Sequence, residues 1–207
     1  MKAFIFDLDG VLVDDEAAKF KAISATFKDL FNVELPQDDK IWIGRDEHTN
    51  MQYFMDMFGI KEDVDRVVRI KRDNMNKSIS NKEFPLIISS LEFMKQKKKE
   101  GYKIAVASNS IREYVEAILA SYKIKRFIDV VVTKDEVSHP KPHPEAYLIT
   151  AKKLGLEPED CVAIEDSPTG IKAAKAAGME CIAITTTHTK KELMKAMPDN
   201  IFERLTI

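Results

Sequence analysis

The strongest limit on what this chain can fold into is a set of four short, almost uninterrupted apolar runs separated by stretches of helical periodicity. "YKIAVAS" (residues 102–108), "FIDVVVT" (127–133), "DCVAIED" (160–166) and "ECIAITT" (180–186) lack the strict alternation of a half-buried strand. Runs of this kind suit strands covered on both faces. Helices are expected between them near 111–122, 144–154 and 168–177. Gly101, Gly155 and Gly178 stand where helical patterns should end, and Ser167 followed by Pro168 has the chemistry of a helix start. Such alternation predicts a parallel α/β sheet with helices on both faces, and "AFIFDLD" near the N-terminus would be its first strand.

Residues 15 to 81 break the alternation. Phe20, Ile23, Phe27, Leu30 and Phe31 recur at helical spacing, as do Met51, Phe54, Met55 and Phe58, and then Val64, Val67 and Val68. A small all-helical insert is expected here, joined by short hinges near 13–15 and 80–84. Its aromatic and methionine stripes, with Trp42, read as the insert's own core. Asp14 and Asp15 are expected to cap the first insert helix.

Composition narrows the function classes. Of 207 residues, 44% are hydrophobic and 32% charged, the balance of a globular protein and not of a disordered one. Lys plus Arg number 32 and Asp plus Glu 34, so a net charge of −2 offers no broad basic field for nucleic acid or acidic membrane. The run "KQKKKEGYK" is read as the solvated end of a helix. Cys161 and Cys181 sit inside apolar runs, as buried thiols suited to a reducing compartment. Met1 and Lys2 lead straight into a strand pattern, and no apolar stretch approaches the ~18 residues of a membrane span. A cytoplasmic protein handling a small molecule is expected, as a monomer or weak dimer.

Ligands of open parallel sheets bind beyond the carboxyl ends of the strands. The expected first strand "AFIFDLD" ends in Asp7 and Asp9, "YKIAVAS" leads into Ser108, Asn109 and Ser110, and "DCVAIED" ends in Glu165 and Asp166, while Lys141 follows "FIDVVVT". In an extended segment Asp7 and Asp9 share a face, so four carboxylates are expected at one sheet edge. Without a cation their mutual repulsion would force some to protonate. A hard divalent ion with oxygen ligands, Mg²⁺, resolves the conflict, and Lys141 with the Ser108 hydroxyl supplies donors for phosphoryl oxygens. His48, His139, His143 and His188 show no metal-ligand spacing and are read as surface or loop residues.

At these positions the sequence resembles the haloacid dehalogenase-like superfamily, particularly its phosphoglycolate phosphatase and β-phosphoglucomutase-like members. "FDLDGVLVD", "ASNS", "KPHPEAY" and "IEDSPTGIKAAKAAGM" resemble its four motifs, in family order. The resemblance implies a Rossmann-like core of residues 1–14 and 82–207, with residues 15–81 as a helical cap that closes over the substrate. It implies Asp7 as nucleophile, forming an aspartyl-phosphate, and Asp9 as general acid and then base. It further implies Mg²⁺ on the Asp7 side chain, the Asp9 backbone carbonyl and Asp166, with Glu165 a direct or water-mediated ligand. Ser108, Lys141 and the Asn109 backbone amide would hold the phosphoryl group, and Gly10 would let the backbone turn beneath it. Arg45 is a candidate for the substrate's far end.

The expected function is thus Mg²⁺-dependent hydrolysis of a small phosphomonoester, with a sugar phosphate as the candidate substrate. A mutase that returns the phosphoryl group to a sugar is an alternative in the same class, although Lys19 stands near where β-phosphoglucomutases place a cap histidine. A phospho-acceptor regulatory module is the alternative in another class, and Asp9 argues against it. Pro140 replaces the small residue often found before the motif lysine.

Overall fold

The computed structural model describes residues 2–36 and 47–206. The chain divides into two compact units, one of residues 1–14 with 85–207 and one of residues 15–84.

The first unit is built on six parallel strands: β1 (Ala3–Phe6), β2 (Lys103–Ala107), β3 (Val130–Val132), β4 (Cys161–Glu165), β5 (Glu180–Ile184) and β6 (Asn200–Phe202). Their order is β3-β2-β1-β4-β5-β6. β1 pairs in parallel with β2 on one side, Ala3 against Lys103, and with β4 on the other, Ala3 against Cys161. Strand order therefore reverses at β1, which opens a crevice beyond the carboxyl ends of β1, β2 and β4. All four residues of β1 and all five of β4 are buried, as their unbroken apolar runs require.

The two faces of the sheet are packed differently. Ala3, Ile5, Ala105, Ala107, Ala163 and Ala183 share one core cluster with Tyr147, Ile171 and Leu193. These small strand residues let helices α6 (Glu145–Leu154), α7 (Pro168–Ala176) and α8 (Lys190–Met194) lie close to that face. Phe4 and Phe6, displaced by one residue and so on the opposite face, meet Phe93 of helix α4 (Ile88–Lys99) edge-on at 5.2 and 6.5 Å. Helix α5 (Arg112–Ser121) follows β2. Ser167 caps α7 as expected, its hydroxyl accepting from Gly170 N–H at 3.1 Å, with Pro168 in the first turn.

Three details differ from the sequence expectation. The third run is strand only over Val130–Val132, because Lys125–Phe127 close a 3₁₀ turn first. β6 is a three-residue edge strand paired to β5, too short to leave a periodic signal. The extended geometry assumed through Asp9 ends earlier: the amides of Val11, Leu12 and Val13 all reach Leu8 O, so the chain turns sharply after Leu8.

The second unit contains helices α1 (Glu16–Phe31), α2 (Glu47–Met57) and α3 (Val64–Ser80). Their apolar stripes meet in one cluster of Ile23, Phe27, Met51, Phe54, Val67 and Val68. Phe27 and Phe54 rings pack at 5.8 Å. Asp15 occupies the N-cap position of α1 but makes no capping bond. Its backbone is helical (φ −111°, ψ −6°) and not extended, and its carboxylate pairs with Lys19 instead. Trp42 and Arg45 lie outside the described residues. Among the described residues no helix is long and apolar enough to cross a membrane.

Candidate active site

Asp7 is the first residue beyond β1, its backbone N–H still tied to Ile164 O at 3.0 Å, so the strand delivers it to the crevice. Glu165 ends β4 and Asp166 follows it. Ligand oxygens of Asp7, Glu165 and Asp166 all lie within 4.8 Å of one another. Lys141, from the loop before α6, reaches into this cluster with Nζ 3.1 Å from Asp7 Oδ1, 2.6 Å from Glu165 Oε1 and 2.8 Å from Ala107 O. Its side chain is only 3% exposed.

Burial alone would lower the Lys141 pKa, but Asp7 and Glu165 outweigh it and hold the ammonium well above its ordinary range. The Asp7 pKa is raised as well, which for a carboxyl favours the neutral form. Burial pushes its carboxyl well up, Lys141 pulls it down, and Glu165, Asp166 and Asp9 raise it further. Three converging carboxylates face a single ammonium, so the cluster lacks positive charge. Asp7 Oδ1 is buried with no hydrogen-bond partner, the Lys141 contact lacking the alignment of one. An oxygen-only donor set with an orphaned carboxylate oxygen fits a hard divalent cation such as Mg²⁺.

Gly10, at φ +70°, turns the chain away beneath Asp166, and a Cβ there would overlap the Asp166 carboxylate and approach Thr187 Cγ2 at 2.8 Å. Gly170 does the same beneath Glu165, where a Cβ would overlap the carboxylate. Both glycines are required by close approach of the acidic pair.

The structure separates the two acids of "DLDG". Because the chain turns after Leu8, Asp9 aims its carboxylate at Ser110 Oγ (2.6 Å) and Tyr114 OH (3.0 Å), while Asp7 joins the Lys141 cluster. The expectation that four carboxylates converge is therefore corrected to three. Ser108 is buried, and its Oγ accepts from Ser110 N–H at 3.0 Å, which leaves its hydroxyl proton free to donate. The Asn109 side chain pairs with the Lys141 backbone in both directions: Lys141 N–H donates to Oδ1 at 3.0 Å, and Nδ2 donates to Lys141 O at 3.3 Å. Asn109 thus holds the lysine loop, a contact its expected backbone role did not anticipate.

Sequence reasoning assigned nothing to three further residues. Tyr147, fully buried in the first turn of α6, donates to the same Glu165 Oε1 as Lys141, at 2.6 Å, and its ring lies 4.9 Å from Nζ. Burial first, then Glu165 and Asp7, raise its pKa, so the phenol remains a donor. Tyr114 orients Asp9, and Thr187 donates to Asp166 Oδ2. Each tyrosine sits on a buried helix face, where a hydroxyl needs a partner; that requirement was the available signal. His188 is half-buried, with Nδ1 3.1 Å from Asp166 O, and so is more than a surface residue. Cys161 and Cys181 are free and buried, and burial pushes the Cys161 thiol up to about 11.

The profile of the haloacid dehalogenase-like hydrolase family matches residues 4–184. A phosphorylated carbohydrates phosphatase from Thermotoga maritima is 30% identical over 200 residues, 95% of this chain and 91% of that protein. A phosphoglycolate phosphatase from Salmonella choleraesuis is 28% identical over 230 residues, 98% of this chain and 89% of its own length. The crystal structure of CbbY from Rhodobacter sphaeroides in complex with phosphate shares the fold, with a TM-score of 0.84 at 24% identity over 99% of this chain and 94% of that one. A sheet reversing at β1, with Asp7, Lys141, Glu165 and Asp166 gathered at its carboxyl edge, accounts for this likeness. The chain belongs to the haloacid dehalogenase-like hydrolase family, on its phosphoric monoester hydrolase branch.

Proposed function

We propose that this protein is a Mg²⁺-dependent phosphatase of small phosphorylated carbohydrates, working through an aspartyl-phosphate on Asp7. The observation that carries the reading is the division of labour between the two acids. Asp7 lies with its buried Oδ1 3.1 Å from the Lys141 ammonium, whereas Asp9 is held by a separate pair of hydroxyl donors. The names of the relatives from Thermotoga maritima and Salmonella choleraesuis support the substrate class.

Asp7 and Asp166 would hold the cation with the Asp9 backbone carbonyl, and Glu165, whose Oε1 already accepts from Lys141 and Tyr147, would act through water. When bound, Mg²⁺ supplies positive charge that keeps Asp7 ionised and offsets the charge of the phosphoryl oxygens. The Ser108 hydroxyl and the Lys141 ammonium bind those oxygens. A carboxylate oxygen of Asp7 attacks phosphorus as the bond to the ester oxygen breaks, and Asp9 gives its proton to the leaving alkoxide. Asp9, now a carboxylate, takes a proton from water as that water attacks phosphorus. The bond to Asp7 breaks and inorganic phosphate leaves. Substrate choice would lie with the helical unit of residues 15–84.

The test is phosphate release from a panel of phosphomonoesters with Mg²⁺ and with chelator. Release from sugar phosphates that needs Mg²⁺ is the expected result. No release from any ester would overturn the proposal, and net conversion between sugar phosphates would replace it with a mutase.

A further inference from the structure

The loop that carries Lys141 also carries a cluster that the chemistry above leaves unused. His139, His143 and Glu145 each bring a ligand atom to within 4.8 Å of the others. His139 Nδ1 lies 3.0 Å and His143 Nδ1 3.8 Å from Glu145 Oε2. Zn–N bonds of about 2.0–2.1 Å and tetrahedral angles require ligand atoms roughly 3.3–3.5 Å apart, between those two distances. We propose that His139, His143 and Glu145 form a binding site for a borderline transition-metal ion such as Zn²⁺, separate from the carboxylate cluster.

Three features support a built site. Glu145 is anchored before any ion arrives: Ser138 N–H donates to Oε1 at 2.9 Å and His139 N–H to Oε2 at 3.0 Å. Those bonds hold it in its charged form. The Glu145 N–H donates to His143 Nδ1 at 3.3 Å, which places the ring's proton on Nε2 and holds the imidazole beside the carboxylate. The backbone is also stiff, since Pro140, Pro142 and Pro144 alternate with His139, Lys141 and His143, and His143 N–H donates to Pro140 O at 3.0 Å. The imidazole rings sit 4.7 Å apart.

Accessibility and selectivity follow from the same residues. The two histidine side chains are 67% and 50% exposed, so an ion has an entry path and water can complete its shell. Lys141, between them in sequence, points the other way into the core. Two imidazoles favour Zn²⁺, Ni²⁺ or Cu²⁺ over Mg²⁺, whereas the oxygen-only cluster of Asp7, Glu165 and Asp166 has the opposite preference.

The test titrates Zn²⁺ calorimetrically into the full, tag-free chain with millimolar Mg²⁺ present. One equivalent should bind, and His139→Ala and His143→Ala should each weaken it by at least about tenfold. His48→Ala, in the other unit, should leave it unchanged. Circular dichroism checks that the variants fold. Wild-type affinity in both loop variants overturns the proposal, as does the absence of Zn²⁺ binding to the wild type. Loss of binding in Asp166→Asn, with both loop variants unaffected, overturns it by assigning the ion to the carboxylate cluster.

Discussion

Replacing Lys141 by methionine tests the electrostatics of the site directly. Methionine keeps an unbranched stem and removes the ammonium, which lies 3.1 Å from Asp7 Oδ1, 2.6 Å from Glu165 Oε1 and 2.8 Å from Ala107 O. Glu165, at 0% exposure, is left with Tyr147 on Oε1 and with an uncompensated charge. Breaking a buried ion pair from one side costs about 3–5 kcal/mol. For a chain of this size that is a fall in Tm of roughly 6–20 °C, at about 2–4 °C per kcal/mol. The double variant Lys141→Met with Glu165→Gln should recover at least about half of the loss, because a neutral amide can still accept from Tyr147 and no unpaired charge remains. Urea unfolding of wild type, both singles and the double, in chelator, supplies the cycle. A single-variant loss below about 1 kcal/mol, or a double variant no more stable than Lys141→Met, would refute the account of Lys141 as the counter-charge of this cluster.

Asp7→Asn should abolish phosphate release while raising metal-free stability, since burial and its acidic neighbours already favour the neutral form; paired activity and melting measurements check this. Asp7 has a folded pKa above its unfolded value, so the native state keeps a proton that the unfolded chain releases, and its contribution is lost as pH rises through the folded value. Mg²⁺ requires the ionised form, so the rise in Tm on adding Mg²⁺ should be larger at pH 8 than at pH 5; an equal rise would remove Asp7 from the ion's ligands. Tyr114→Phe removes a hydroxyl donor to Asp9 and should lower kcat about tenfold with little change in KM, the equivalent of ~1.4 kcal/mol. A changed KM with kcat intact would place Tyr114 in substrate binding instead.

The sheet was legible because parallel strands buried on both faces must be apolar throughout, and five of the six lie in apolar-rich runs of seven residues. β6 was not, since three residues on an edge, exposed at Asn200 and Phe202, have no pattern to show. Asp7, Lys141, Glu165 and Asp166 were legible as charges at strand ends, where an apolar chain has no other use for them. The tyrosines were hidden because Tyr114 and Tyr147 look like core aromatics until the partner of each hydroxyl is known. His139 and His143 are exposed loop residues, as expected, and their closeness to each other was not legible. Spacing along a helix says nothing about His139 and His143, whose approach is set by a proline-rich loop.

By itself the sequence determined the architecture and the chemical types at the sheet's carboxyl edge, because burial periodicity and strand-end position are local properties of the chain. Only the tertiary structure decided which groups pair. The turn after Leu8 sends Asp9 to Ser110 and Tyr114, residues about a hundred positions away, and leaves Asp7 to Lys141. Hydrogen bonds and ion pairs depend on distances of a few tenths of an ångström between remote segments, and no local pattern encodes those.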